Sequence, residues 1–585
     1  MGRQPITAFR IRQRFCSLTY GTAPCTAEVG VTGSEKCFNT TVSCQDRDNL
    51  DLGTLDLWFV SQRSNTAKPL LFNGEPIYAI SSLLDVSISG AKVNVGGGDR
   101  DIKALGTRAD ARVTIADHPH SDNMVDKYRD ERTYIATERG TFWTKWLARN
   151  PYYAGYVCDV FTFYNGEDIA DGDQRTYVLD RIDGPDNQVV ITAKDLLQLS
   201  DDNRAQAPRV SGGVLAADIS DTDTSLTVLT SQNEYPAPGT VALGDENIGY
   251  TSSTATSGGY ILGGLTRGID GTTADSHSAD DTVQLCVRWT DETIDVIAND
   301  LITNYTQITD VIPTAIPLAE WQAEVDEWLA DLRLTTVIRE PTSVNQLLGE
   351  LCRDVAATLF WDERVREIKL VAVKPSWPVV RDISDAANIM ADSISIKSKA
   401  SDRINEVWVY YLPRDRSQSI DEPGNMRKIR VTIDADSQSS EEYGDRKVRR
   451  IFSRWITTDS HAFQLASTVL ARYRDAPTIV SVQLTAKDRD LWLTDIANVT
   501  HRRFVTLSGA VTPKRFQVIS VKETPGSDII GYEMETFPFF GRFAGWMADD
   551  APDFEDADGV EKENGGFWSD DMGLMPDGSE GYQWQ

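Results

Sequence analysis

The sequence predicts a multidomain protein, mainly β with an α+β segment, an inserted small β module and an extended acidic C-terminal tail. Three observations carry this. The chain has 585 residues, which at roughly 150 residues per domain makes about four domains. Short runs of alternating apolar and polar residues, bounded by Gly, Pro, Asn and Asp, outnumber the stripes with helical spacing. Composition shifts sharply near residues 213, 289 and 541. A hydrophobic share of 41%, with 14 Trp, supplies several cores and excludes a disordered chain.

The elements follow in order. Residues 1–65 hold four of the seven Cys and end in the alternating run Leu55–Val60, read as a strand. Over 66–212 the pattern is β with one helix. Ala111–Ile115 alternates; Gly140–Arg149 follows a Gly-Thr cap and stops before Asn150-Pro151; Tyr177–Ile182 and Val189–Thr192 flank a turn as a hairpin. Gly96-Gly97-Gly98 lacks the spacing of a phosphate-binding loop and reads as a flexible connection. Residues 213–288, rich in Ser, Thr, Gly and Asp, give short strands such as Ser225–Leu229 and Thr240–Leu243, a small all-β insert.

Residues 289–395 are α+β. Trp321, Val325, Trp328 and Leu332 line one helical face. Val344, Leu347, Leu348, Leu351 and Val355 line another after Thr342/Ser343, and Thr358–Trp361 with Glu367–Val373 form a hairpin. Over 396–540 strands return at Glu406–Tyr411, Lys428–Ile433, Ile479–Leu484 and Arg515–Val521, with one helix bearing Phe463, Ala466, Leu470 and Tyr473. Two β-rich regions, each with one helix, bracket the middle, which points to a duplicated architecture. In 541–585, 12 acidic residues face one Lys from Asp549 onward, with Phe554, Phe567, Trp568 and Trp584 scattered without a period. Such a tail is extended by itself, and its aromatics imply docking on a neighbouring surface.

Charge and motif spacing exclude several functions. A net charge of −30 lacks the cations that drive tight phosphate binding. No apolar run reaches the roughly 20 residues of a membrane span, and the basic start MGRQPITAFRIRQRF lacks the apolar core of a signal peptide. Folding in a reducing compartment follows, which disfavours disulfides. There is no G-x-S-x-G elbow, no GxxxxGK[ST] loop and no HExxH pair, so no catalytic residue is assigned. His118-Pro119-His120 reads as a loop, and Asp556-Ala557-Asp558-Gly559 fails as a calcium loop because Phe554 stands at its first position.

The chemistry-bearing pattern is Cys16, Cys25, Cys37 and Cys44. Four soft ligands this close in sequence can converge on one centre, an iron–sulfur cluster or zinc. Zinc favours a short C-x2–4-C knuckle, absent here, whereas wide spacing suits a larger cubane; unliganded buried thiols and disulfides remain alternatives. Cys158, Cys286 and Cys352 sit among apolar neighbours and read as inert core thiols.

Cys16-Ser-Leu-Thr-Tyr-Gly-Thr-Ala-Pro-Cys25, with Lys36-Cys37-Phe-Asn-Thr-Thr41 and Cys44-Gln-Asp46, resembles the iron–sulfur domain of tail-tip proteins of long-tailed phages. It is similar to the C-terminal domain of the lambda-type minor tail protein L family and its counterparts in gene transfer agent hubs. The outer spacings C-x8-C and C-x6-C match, while the central gap is shorter here. Tyr128-Arg129-Asp130-Glu131-Arg132, Glu138–Phe142 and Leu147–Tyr153 resemble the first hub domain of siphophage baseplates. Leu265–Ala274, ending at His277, is similar to a small β module of tail proteins; Phe539–Phe543 and Met575–Gly578 resemble hub C-termini.

The resemblance implies a [4Fe-4S] cluster on Cys16, Cys25, Cys37 and Cys44, with zinc as the alternative. It implies two tube-like β-barrel hub domains, 66–212 and 396–540, flanking the 213–288 module and the 289–395 α+β domain. Three copies would form a pseudo-sixfold ring on the hexameric tail tube. Expected partners are the distal tail protein or tube, the tape measure protein and central fibre or tail-tip proteins, with no tight nucleic-acid binding and no membrane anchor. The expected role is a non-enzymatic baseplate hub in the virion tail tip, assembled in the bacterial host cytoplasm, with DNA passing through its lumen. A tail-associated cell-wall-degrading enzyme and a host-receptor adhesin are the alternatives.

Overall fold

A computed structural model of the chain describes residues 5–61, 69–95, 105–201, 205–232, 234–374, 379–440, 442–506, 508–523 and 527–537, and short pieces at 542–543, 552–557, 562, 567 and 582–583. Gly96–Gly98, Phe539–Gly541 and Met575–Gly578 lie outside the described residues, as does most of the acidic tail.

The first unit is a closed barrel of seven strands: β1 (Pro5–Cys16), β2 (Leu52–Ser61), β3 (Ala79–Ser89), β4 (Asp110–Ala116), β5 (Val157–Tyr164), β6 (Asp173–Asp186) and β7 (Gln188–Lys194). The order around it is β1-β2-β3-β4-β7-β6-β5, and β5 pairs back to β1. All neighbours run antiparallel except β2 and β3. Helix α1 (Phe142–Arg149) plugs the barrel through Phe142, Trp143 and Trp146, with Trp143 stacked on Phe59 at 5.3 Å. Thr141 caps it in a capping box with Thr144.

The basic N-terminus is thus a barrel stave. Phe9 and Ile11 face the interior, while Ile6, Ala8 and Arg10 face a second cluster outside. Arg10 lies against the rings of Trp58, Phe72 and Phe161 at 4.8–5.3 Å and pairs with the buried Asp159 at 2.7 Å. An alternating strand is disguised here because an arginine fills an apolar slot. Residues 1–65 are accordingly not a unit of their own: β1 and β2 belong to the barrel, and only the connection 17–51 stands outside it.

The 213–288 module is a seven-stranded antiparallel sheet around its own core of Leu226, Val228, Val241, Ile248 and Leu262. Its loop 265–277 is pinned by the buried Glu246, which accepts from Arg267 Nε (2.8 Å) and Nη2 (2.7 Å), Gly268 N (2.8 Å) and Asp275 N (3.2 Å), and pairs with His277 Nε2 at 2.8 Å. Burial raises the Glu246 pKa, but the bonds from Arg267 and His277 outweigh it and hold the carboxylate below its usual range. The α+β unit packs helices Ile294–Tyr305, Leu318–Trp328 and Val344–Asp354 on the hairpin Ala357–Asp362/Glu367–Ala372. Trp321 Nε1 donates to Ile368 O (2.8 Å), and Trp361 Nε1 reaches Thr176 O of β6 (3.1 Å). Leu332 lies beyond its helix, which ends at Trp328, yet remains buried.

The stretch 396–540 is divided between two sheets. Strands Val379–Ser384, Ile496–Thr500, Lys514–Glu523, Ile529–Thr536, Thr478–Thr485 and Ser395–Ser398 make a six-stranded sheet, in that order. Its outer strands do not pair with each other among the described residues, so a second closed barrel is not formed by them. Residues 404–473 fold apart, with strand Glu406–Pro413 between Met426–Ile433 and Val448–Phe452, backed by helix Asp459–Tyr473. That helix buries Ala462, Leu465, Ala466, Val469 and Tyr473, while Phe463 is exposed and lies under Arg430.

The barrel and the six-stranded sheet share one core. The chain leaving β3 pairs with strand Lys514–Glu523, Val93 N–H donating to Ile519 O at 2.8 Å. Gly90 is needed there because a Cβ would strike the Val521 carbonyl. No helix among the described residues is long and apolar enough to cross a membrane.

Candidate cysteine centre

The connection 17–51 leaves β1 at Cys16 and re-enters β2 at Leu52, which pairs with Cys16 in the ladder. The hairpin thus fixes one ligand candidate and both ends of the loop. Inside the loop, Cys25, Cys37 and Cys44 fold back on Cys16, and all four line one small cavity, together with Tyr20, Asn39, Gln45 and Asp46. Cys16 is buried and the other three are partly exposed; none is in a disulfide.

The scaffold is polar and specific. Asn39, in the left-handed region at φ 55°, donates from Nδ2 to Cys16 O and Leu18 O (both 3.2 Å), and its own carbonyl accepts from Cys16 N–H at 2.7 Å. It therefore locks the strand end to the turn after Cys37; its buried Oδ1 has no partner among the described residues. Asp46 accepts from Thr26 N (2.6 Å) and Oγ1 (2.9 Å), which ties the turn after Cys25 to the one after Cys44. Those bonds hold its carboxyl below the usual range. Tyr20 donates to Gln45 Oε1 (2.7 Å), and Gln45 Nε2 to Glu35 O (2.7 Å).

The barrel side braces the loop with the segment around Tyr128–Arg132. Tyr20 N–H donates to Tyr128 Oη at 2.7 Å, and Lys127 Nζ caps Cys16 O at 3.1 Å. Arg132, paired with the buried Asp126 at 2.9 Å, donates to Lys36 O (2.6 Å) and Cys37 O (3.0 Å). Arg132 and Arg149 both lie over the Phe38 ring at 4.1 Å. The run Tyr128–Arg132 was legible in the sequence, but not its function as a clamp on the cysteine loop. Its partners are 95 to 108 positions away in the chain, beyond the reach of any local pattern.

Electrostatics follow from this convergence. Burial raises the Cys37 pKa, the Asn39 amide opposes it, and Cys44, Cys16 and Cys25 raise it further. Burial also raises Cys44, aided by Cys16 and Cys25 and opposed by the Asp46 backbone. The thiols sense one another's charge, so ionising all four is costly without a cation among them. Yet among the described residues no three His, Cys, Asp or Glu side chains meet closely enough to share a single ion.

The remaining candidates lie elsewhere. Cys158, Cys286 and Cys352 are buried; burial lifts Cys158 well above the usual thiol range and the other two to about 12. His120 accepts from Asp122 N–H at 3.0 Å through Nδ1 and packs edge-on against Phe142, a loop-to-helix contact. Asp558 and Gly559 lie outside the described residues.

No protein-family model matches the chain, and no curated protein matches it. Solved structures do. The tail protein from Neisseria meningitidis MC58 is 12% identical, covering 78% of this chain and 99% of that one with a TM-score of 0.38. The 43 kDa tail protein of prophage MuSo2 from Shewanella oneidensis is 9% identical, covering 80% and 98% with a TM-score of 0.36. A chain of the native gene transfer agent virion is 12% identical, covering 58% and 90% with a TM-score of 0.31.

Proposed function

We propose that this chain is a structural hub of a long-tailed phage tail tip whose loop 17–51 is organised by a [4Fe-4S] cluster on Cys16, Cys25, Cys37 and Cys44. The observation that supports the reading is that these four thiols line one cavity. A tetrahedral zinc needs sulfurs about 2.3 Å from a single point, whereas a cubane spreads its four thiolates around a larger body. Soft sulfur donors fit iron, and Lys127 adds positive charge beside an anionic centre. The cluster supplies a covalent cross-brace for the loop. The chain supplies the clamps that place it: Asn39, Asp46 and Arg132 hold the cysteine-bearing turns, so loading and loop folding are coupled.

The hub role rests on the sequence resemblance and is supported by a closed barrel sharing a core with a second sheet. In that reading three copies ring the tube, and the acidic surplus keeps the passing genome from adhering. Anaerobically prepared protein is expected to be brown, to absorb near ~400 nm and to hold about four irons and four sulfides per chain. Colourless protein with one zinc overturns the cluster. Immunogold labelling of particles is expected to mark the tail tip; labelled capsids, or particles without the chain, overturn the hub.

A further inference from the structure

The three-stranded sheet of residues 404–473 has two faces of opposite character. One packs on helix Asp459–Tyr473 through Val407, Val409 and Ile451. On the other, Trp408 stands opposite Val431 and Arg450, and Tyr410 opposite Ile429 and Phe452, so these side chains share the outer face. Ile429, Val431 and Ile433 alternate along strand Met426–Ile433 and are 44%, 42% and 51% exposed. That strand ends the sheet, and no described backbone group bonds to its far edge. Free edges are usually blunted by proline, a bulge or outward charge. This one runs in unbroken register without proline, and three of its outward side chains are aliphatic. An apolar stripe beside such an edge marks an interaction site.

Charge narrows the occupant. The two outer strands carry Arg427, Lys428, Arg430, Arg449 and Arg450 and no acid, in a chain with 58 basic and 88 acidic residues. Arg430 pairs with Asp459 at 2.9 Å, whereas Arg427 and Lys428, both exposed, form no ion pair with a described residue. The ring faces are not offered to nucleic-acid bases: Arg446 and Arg450 lie over Trp408 at 5.5 and 5.1 Å, and Tyr410 and Phe452 stack on each other at 4.6 Å. On an added strand, the residue opposite each position points to the same face of the sheet. The complement of this edge is therefore aliphatic opposite Ile429, Val431 and Ile433, and acidic opposite Arg427 and Lys428.

We propose that this edge receives a strand of another polypeptide, antiparallel to Met426–Ile433, aliphatic at alternate positions and acidic at the end that passes Arg427 and Lys428. Main-chain bonds supply the affinity, and the antiparallel direction is the one with the more stable ladder. The stripe Ile429, Val431, Ile433 sets which face of the incoming strand is apolar, because a slip of one residue would turn that face to water. The two cations fix its direction and register. The inference is independent of the cluster and of the hub role.

The test uses the full chain and the peptide acetyl-Val-Thr-Val-Thr-Val-Glu-Glu-amide, whose residues stand opposite positions 433 to 427 in that order. Saturating peptide is expected to slow hydrogen exchange of the amides of 427–433 about tenfold and to leave barrel amides unchanged. The same peptide ending in Lys-Lys should bind at least about tenfold more weakly. In the variant Arg427→Glu, Lys428→Glu, whose barrel amides report that it is folded, the preference should reverse. No protection, equal protection by both peptides, or an unreversed preference in the folded variant overturns the proposal. So does an edge already protected in the chain alone, or stronger protection by oligothymidylate or by phosphatidylglycerol vesicles.

Discussion

Arg132 shows how much one side chain can carry. It is almost fully buried, neutralises an equally buried Asp126 and spends its other donors on the carbonyls of Lys36 and Cys37. Arg132→Met leaves the Asp126 charge unpaired, a loss of about 3–5 kcal/mol. The expected outcome is proteolytic cleavage within 17–51 and, under the cluster proposal, a fall in bound iron, with the barrel intact by hydrogen exchange. Uncleaved loop and full metal content would show that the clamp is dispensable. Arg10 gives the same lesson for reading sequences: hydropathy marks it as surface, yet three aromatic rings and Asp159 enclose it. Phe463 is the converse, an aromatic at a helical core spacing that the structure leaves outside.

At the scale of elements, α1 depends on its first turn. Thr141 accepts from Thr144 N–H while its hydroxyl donates to Asp117 at 2.6 Å, and Asp117 also accepts from Trp143 N–H at 3.1 Å. Thr141→Ala should cost about 0.5–2 kcal/mol, seen as a lower thermal midpoint with altered near-UV dichroism from Trp143 and Trp146. Thr141→Ser, which keeps the hydroxyl, should restore most of it. Most other elements were legible where periodicity is clean: Asp110–Ala116, the β6–β7 hairpin, Ala357–Asp362 and Val344–Asp354 all coincide with runs of period two or 3.6. β1 was not, because its outer face alternates with arginine. The four cysteines were legible by type and spacing; Asn39, Lys127 and Arg132 around them were not, since a hydrogen bond to a backbone carbonyl leaves no mark on composition.

For the whole molecule, the junctions matter most. Arg175 of β6 lies between Glu363 of the α+β hairpin and Glu523 of the six-stranded sheet, with Trp492 over its guanidinium at 5.3 Å. Nearby, Asp195 opens the passage from the barrel into the α+β core. Burial lifts its pKa to about 7, against the pull of Arg108 and with the push of Glu363 and Asp201. In the unfolded chain this carboxyl ionises near ~3.9. The folded pKa is the higher one, so the contribution of this carboxyl to stability is full below about pH 4 and falls as pH rises to about 7, by on the order of 4 kcal/mol. Asp195→Asn removes this penalty. Its thermal midpoint should match the parent at pH 4 and exceed it at pH 8; equal midpoints at both would show that Asp195 ionises freely.

The sequence by itself determined where short strands and helices begin, which residues bear soft ligands, and that an acidic, mainly β, multidomain chain would result; these are properties of composition and local periodicity. Only the tertiary structure decided that β1 closes a barrel with β5, that 396–540 splits between two sheets, and that four thiols surround one cavity. Those outcomes depend on pairings and clamps between residues far apart in the chain, whose free energy comes from shared burial and hydrogen bonds that no local window contains.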